Sequence, residues 1–148
     1  MNAPYEDQLV GLAAHSEPLE LTPVMVREFS AVTHTPTDDA GAPVPHTIAA
    51  PLTSSVQQAL IDDDRLGIDL ARTMHTEQRI EVARPLEVGA TYTATATVEA
   101  IRKAAGGRLI TIVSEVLGSD GAVVQTLRTT LLSALPETDT AKPEGESA

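Results

Sequence analysis

The feature that most constrains the fold is an alternation of residue types with a period of two, which dominates the second half of the chain. In the stretch TYTATATVEAI, Tyr92, Ala94, Ala96 and Val98 lie on one face and a row of threonines lies on the other. Such alternation is typical of β-strands that bury one face. Three more stretches share it and bring the predicted strands to four: EQRIEVARP, RLITIVSEVL and AVVQTLRTTLLSAL.

The connections between these strands predict how they pair. KAAGGR and GSDGA contain glycines, which adopt the positive φ angles that tight hairpins require. The last three strands should therefore run antiparallel in sequence order. The segment RPLEVGA, with Pro85 and Gly89, predicts a tighter corner after the first of the four strands.

Two helices are predicted before the strands. Thr22 can serve as the N-cap and Pro23 as the first residue of a helix that ends near Val32. A second helix is expected in SSVQQALIDDD, with Thr53 or Ser54 as its N-cap, and it should end before the aspartates, because acidic groups are unfavourable at a helix C-terminus. Early helices and a late antiparallel meander predict an α+β domain, with one helix across the apolar face of the sheet.

The size and composition fit a single domain. The chain has 148 residues, of which 42% are apolar, and this is enough to form a sizeable core. Aromatic residues make up only 2%, so the core must be aliphatic, and stacking platforms for nucleic-acid bases are disfavoured. We expect one domain over residues 1–135, and a disordered acidic tail from Pro136 onward, because that segment has little apolar surface to bury.

Charge and composition also exclude several classes of function. The net charge of −11 argues against nucleic-acid binding and against anionic membrane surfaces. The chain has no cysteine, so disulfides and thiolate metal sites are excluded. His34, Asp38, Asp39 and His46 lack the spacings that place two metal ligands on one face, so no metal site is expected. Without a leader-like or membrane-spanning stretch, the expected location is the cytoplasm.

The strand region resembles the MaoC-like hot-dog proteins, specifically the dehydratase half of the fatty-acid-synthase type. In that family a strand of the form H-x-E-Q-x-[FI]-x-[FYV] is followed by R-P-L-x-x-G. The matching residues here are His75, Glu77, Gln78, Ile80, Val82, Arg84, Pro85, Leu86 and Gly89. The upstream IAAPLT is similar to the family's VAPPT turn, and the resemblance extends roughly from Leu9 to Leu135.

The resemblance implies a hot-dog fold, in which an antiparallel sheet wraps around a central helix. It also implies that the substrate is an acyl-CoA or acyl-ACP thioester, that no cofactor is needed, and that the chain pairs with another hot-dog subunit as a homodimer or heterodimer. The most similar members are non-catalytic acyl-binding subunits of bacterial (3R)-hydroxyacyl-ACP dehydratases, which pair with a catalytic hot-dog chain.

Catalytic members carry a loop close to G-D-x-N-P-x-H, in which the Asp and His act as general base and as the group that orients water. Aligning the motif's proline with Pro36 places the Asp position on Thr33 and the His position on Asp38. Neither catalytic residue type is kept. An inverted pair, with His34 and Asp38 as base and orienting group, is the catalytic alternative, and a solvated polar turn is the structural one.

The resemblance also suggests residues that bind substrate. An acyl tunnel is expected between the long helix and the sheet, with Ile80, Val82, Ala94 and Ala96 among its walls. His46 is a candidate for the cleft entrance, although a lone loop histidine is more often a surface residue. His75 is a candidate too, and its structural alternative is a hydrogen bond that fixes the start of the strand. The candidate substrate-binding residues are His46, Pro51, His75, Gln78 and Ile80.

Three functions remain open at the level of the sequence. The first is a hydratase or dehydratase component that acts on acyl thioesters. The second is a non-catalytic binding or assembly subunit, which the missing motif residues favour. The third is a stand-alone enzyme of altered chemistry, such as a thioesterase or a polyketide-tailoring enzyme, in which Asp38 or Asp39 activates water.

Overall fold

The structure, a computed structural model, describes residues 4–35 and 44–135. It confirms an α+β domain built on one antiparallel sheet. Its elements are α1 (Pro4–Leu9), β1 (Ala13–His15), β2 (Leu19–Glu20), α2 (Pro23–Thr33), α3 (Ala49–Ile61), β3 (Thr73–Val82), β4 (Thr91–Ala104), β5 (Gly107–Leu117) and β6 (Val123–Ala134). The predicted disordered tail lies outside the described residues.

The four predicted strands are confirmed, and the last three pair antiparallel in sequence order. The sheet runs β1-β4-β5-β6-β3, and β2 adds a short pairing to β4. Tyr92, Ala94, Ala96 and Val98 are buried on the inner face of β4, as the alternation predicts. Gly89 adopts a φ of 87° in the corner after β3, a backbone conformation that favours glycine. The short strands β1 and β2 and the helix α1 were not predicted.

Helix α2 is confirmed within a residue of its predicted end. The Thr22 side chain caps it by accepting a hydrogen bond from the Met25 amide at 3.2 Å, and Pro23 is the first helical residue. The helix continues to Thr33, and His34 follows in the left-handed conformation with a φ of 55°. A left-handed residue ends the helix because the chain can no longer continue the regular backbone hydrogen bonds.

The predicted start of α3 was wrong. The helix begins at Ala49, after a 3₁₀ turn over His46–Ile48, and not at the proposed caps Thr53 or Ser54. Thr53 is fully buried, and its hydroxyl donates to the Ala49 carbonyl at 3.0 Å. A proline in the first turn, Pro51, is compatible with this start, because an amide there has no helical partner. The helix ends at Ile61, before the aspartates, as predicted.

Helix α3 lies across the inner face of the sheet and packs mainly on β4 and β5. Two groups of buried apolar residues result. The first cluster consists of Leu9, Val56, Leu60, Leu66, Ala94, Ala96, Val98, Ile101, Ile110, Ile112 and Leu131. The second cluster consists of Leu21, Val26, Ile48, Ala49, Leu52, Leu86, Tyr92, Val116, Val124 and Leu127. The first lies under the C-terminal half of α3, and the second lies under its N-terminal half and α2.

No helix in the described parts of the chain is long and apolar enough to cross a membrane.

Candidate functional site

A cavity of about 540 Å³ lies beside the N-terminal half of α3. Pro51, Leu52 and Val56 contribute one wall, and Tyr92 and Ala94 of β4 contribute the other. His15, the last residue of β1, and Glu17, from the connection between β1 and β2, supply polar groups to the lining. A concave, largely apolar space of this size is typical of sites for small molecules. Two residues of the predicted site line this cavity, namely Pro51, predicted to bind substrate, and Ala94, predicted to form a tunnel wall.

The other side of α3 is open along β3. This strand is at the edge of the sheet, and eight of its ten residues are exposed while the other two are half-buried. Gln78 pairs in register with Thr129, and Ile80 pairs with Leu127. Since Leu127 belongs to the second cluster, Gln78 and Ile80 share the inner face of the sheet. The structure therefore places these two predicted residues together, but separates them from the cavity at Pro51.

The hydrogen bonds of β3 are consistent with this arrangement. The Thr129 hydroxyl donates to the Gln78 side-chain oxygen at 2.9 Å. His75 has a ring nitrogen 3.0 Å from the Glu77 carbonyl oxygen, and this contact spans the β-bulge at Thr76. His75 is exposed, and the contact of its ring with the Glu77 carbonyl is a local one near the start of the strand.

The predicted catalytic residues are only partly described. His34 is exposed at the end of α2, and Asp38 and Asp39 lie outside the described residues, so the inverted pair stays a prediction. At Thr33, where the predicted alignment places the motif's Asp, the hydroxyl donates to the Phe29 carbonyl at 2.9 Å and lies 2.9 Å from the Thr35 hydroxyl. These local bonds hold the side chain against its own helix.

His46 is exposed in the 3₁₀ turn before α3. Within residues 4–35 and 44–135, no group of three or more His, Asp or Glu side chains is arranged to hold a metal ion.

Two ion pairs on the surface shift the pKa values of the aspartates that they contain. Arg84 donates to Asp120 at 2.8 and 3.1 Å, and this hydrogen bonding lowers the pKa of Asp120. Arg65 donates to Asp63 at 2.7 and 2.9 Å and lowers the pKa of Asp63 in the same way. Both pairs connect residues of turns, and neither lines the cavity beside α3.

Comparison with known proteins identifies the family. The model of the FAS1-like dehydratase domain region matches residues 8–127. The chain belongs to this family. A UPF0336 protein of Thermobifida fusca is 31% identical over 128 residues, which cover 78% of this chain and 84% of the relative. A UPF0336 protein of Streptomyces coelicolor is 34% identical over 93 residues, which cover 63% of this chain and only 62% of that relative.

Solved structures confirm the hot-dog fold. HtdX of Mycobacterium tuberculosis superimposes with a TM-score of 0.72 at 25% identity, over 83% of this chain and 51% of HtdX. The HadBC (3R-hydroxyacyl-ACP dehydratase) complex of the same organism gives a TM-score of 0.70 at 16% identity, over 84% of this chain and 97% of the matched chain. The chain thus spans about half the length of HtdX.

Sequence reasoning missed two buried polar residues close to the second cluster. Gln125 is fully buried on β6, and Ser30 is almost fully buried on α2. The Gln125 amide and the Ser30 hydroxyl have no hydrogen-bond partner among the described residues. For Gln125 a signal was available, because it occupies the same alternating face as Leu127 and therefore places an amide where the pattern calls for an apolar residue.

Proposed function

We infer that the chain is a component of a MaoC-like hydratase or dehydratase and that it binds the acyl part of an acyl-CoA or acyl-ACP thioester. Its family and fold support this proposal, as does the apolar cavity beside α3. We assign it the role of an acyl-binding subunit that pairs with a second hot-dog chain, which supplies the general base.

The observation that carries the subunit role is the state of Thr33. A hydroxyl group is not a general base at neutral pH, because it stays protonated and its oxygen is weakly basic. The Thr33 hydroxyl is also occupied by hydrogen bonds to Phe29 and Thr35. The position that carries an Asp in the catalytic motif therefore supplies neither the required chemistry nor a free side chain.

The open edge of β3 supports a partner subunit. The Ala83 amide donates to the Val124 carbonyl at 2.9 Å and continues the ladder between β3 and β6. Because hydrogen-bonding directions alternate along an antiparallel strand, the backbone groups of Gln78, Ile80 and Val82 point away from β6, toward the open edge. An exposed strand edge of this length is a surface to which another strand can add.

The proposal is tested with the purified chain alone. Binding of octanoyl-CoA is measured by calorimetry, and hydration of trans-2-octenoyl-CoA is followed by the loss of the enoyl absorbance. We expect binding without hydration. The His34→Asn variant should behave like the wild type, and it is the matched variant because asparagine tolerates the left-handed backbone of this position.

Two results would contradict the proposal. Hydration by the wild type that is lost in His34→Asn would assign the chain a catalytic role of its own, through His34 and Asp38. Failure to bind octanoyl-CoA would remove the acyl-binding role.

A further inference from the structure

Gln125 lies in a row of side chains that crosses the inner face of the sheet. Its register partner on β5 is Val116, whose partner on β4 is Ala94, and its partner on β3 is Val82. The row therefore runs from the cavity wall at Ala94 to the open edge at Val82, which is 41% exposed. With adjacent strands about 4.8 Å apart, Gln125 is roughly 10 Å from the cavity end of the row.

The Gln125 side chain is the polar exception in this row. It is fully buried, and neither Nε2 nor Oε1 has a hydrogen-bond partner among the described residues. An amide buried in this way destabilises the folded chain, because it has lost water and gained nothing in exchange. A buried, unpartnered polar group in an otherwise apolar setting needs an explanation.

Neighbouring buried polar groups on the same face are satisfied. The Ser114 hydroxyl accepts a hydrogen bond from Gln57 of α3 at 3.0 Å. Thr129 donates to Gln78 at 2.9 Å. Ser114 pairs with Leu127, two residues from Gln125 on β6, so it is a diagonal neighbour of Gln125. Among these side chains of the inner face Gln125 is therefore the unsatisfied one, and the Ser30 hydroxyl of α2 is the other unpartnered group near the second cluster among the described residues.

An amide offers one donor and one acceptor side by side. A 3-hydroxyacyl thioester presents the complementary pair, because the carbonyl oxygen on carbon 1 accepts a hydrogen bond and the hydroxyl on carbon 3 can donate one. We propose that Gln125 distinguishes 3-hydroxyacyl groups from saturated acyl groups: Nε2 donates to the thioester carbonyl, and Oε1 accepts from the 3-hydroxyl. This assignment rests on the acyl-binding function inferred above.

The row also limits where the acyl group lies. Val82 is the exposed end of the row, whereas Gln125 and Val116 are fully buried and neither lines the cavity at Ala94. We therefore place carbons 1 to 3 of the ligand against Gln125, with the thioester entering from the Val82 end.

The test compares two ligands of equal length, 3-hydroxyoctanoyl-CoA and octanoyl-CoA, by calorimetry. We expect the wild type to bind the hydroxylated ligand about tenfold more tightly, because only this ligand supplies the 3-hydroxyl that donates to Oε1, and one hydrogen bond provides a difference of this size. In Gln125→Leu this preference should disappear. The melting temperature of the same variant should rise by about 2–4 °C, because two unsatisfied polar atoms are removed. Gln125→Met is the second variant, since its unbranched side chain follows the shape of glutamine.

Ser114→Ala is the matched control, because Ser114 is as buried as Gln125 but has a partner. It should keep the ligand preference and lower the melting temperature. Equal affinities in the wild type, or an unchanged preference in both Gln125 variants, would overturn the assignment while leaving acyl binding intact. Lower melting temperatures in both variants would overturn it too, since the amide would then have a partner in the free protein. If the wild type binds neither ligand, the acyl-binding function fails, and the assignment with it.

Discussion

Beneath the C-terminal half of α3 the first cluster is aliphatic and meets the cavity only at Val56 and Ala94, whereas beneath the N-terminal half the second cluster adjoins the same cavity, an open strand edge and unpartnered polar groups. Of the four buried polar atoms without a partner in the described parts, three belong to Ser30 and Gln125 near the second cluster. The fourth is Nε of Arg108, whose Nη2 donates to the Leu66 and Gly67 carbonyls.

This difference separates stability from function within one small core. Apolar packing without voids stabilises a fold, and the first cluster has the composition for it. Cavities and unsatisfied groups cost stability, and proteins retain them where a ligand completes the arrangement. The second cluster is therefore the part of the core in which we place the ligand.

The largest effect is expected from a cavity in the first cluster. Ile112 is 1% exposed, and Ile112→Ala should lower the free energy of unfolding by about 3 kcal/mol, because the methyl groups lose their contacts and leave a void. Urea denaturation measures this. A loss below about 1 kcal/mol would mean that the first cluster is loosely packed and would remove the contrast between the two clusters.

A smaller effect is expected where the second cluster depends on a hydrogen bond. The Tyr92 hydroxyl accepts a bond from the Glu87 amide at 2.8 Å. Tyr92→Phe keeps the ring but removes this acceptor, so the free energy of unfolding should fall by about 1 kcal/mol. The same denaturation experiment applies, and a variant as stable as the wild type would show that the bond contributes nothing.

A still smaller loss of stability is expected at the open edge. Ile80 is only half-buried, so Ile80→Ala should change the free energy of unfolding by about 0.5 kcal/mol. The affinity of this variant for octanoyl-CoA should nevertheless fall, since Ile80 lies on the inner face next to the row through Gln125, where we place the ligand. A large loss of stability with unchanged affinity would reverse the roles assigned to the two regions.

The smallest effect belongs to the surface. Arg84 lowers the pKa of Asp120, so the pair stabilises the fold when pH is above the ordinary pKa of an aspartate, and this contribution disappears as pH falls through the lowered value. Arg84→Gln should raise the pKa of Asp120 toward its ordinary value in an NMR titration. It should leave acyl-CoA affinity unchanged. An unshifted titration would show that the pair is not formed in solution.

The features that depend on local pattern could be predicted from the sequence. The period of two located four strands, the hairpin glycines gave their antiparallel order, and Thr22 and Pro23 marked the start of α2. The start of α3 was placed five or six residues too late, since a threonine and a serine resembled caps, whereas the real N-cap position, Ile48, provides no side-chain cap. The strands β1 and β2 are too short to show a period and exist through their pairing with β4.

The candidate site could be predicted only in part. The alternation in β3 places Gln78 and Ile80 on one face, as the structure shows. The split between these residues and Pro51 depends on where α3 crosses the sheet, which the sequence pattern does not encode. The significance of Gln125 depends on the absence of a hydrogen-bond partner among the described residues, which only the three-dimensional structure shows. The one sequence signal was that Gln125 falls on the inward-facing positions of its strand.

The most direct test of the account is to observe where an acyl ligand binds. Methyl groups of Ile, Leu and Val are labelled, and their NMR signals are followed while 3-hydroxyoctanoyl-CoA is added to the purified chain. The account predicts shifts at Val82, Val116 and Leu127, with little change at Ile110, Ile112 and Leu131. Shifts concentrated in the first cluster, with the row through Gln125 unchanged, would contradict it.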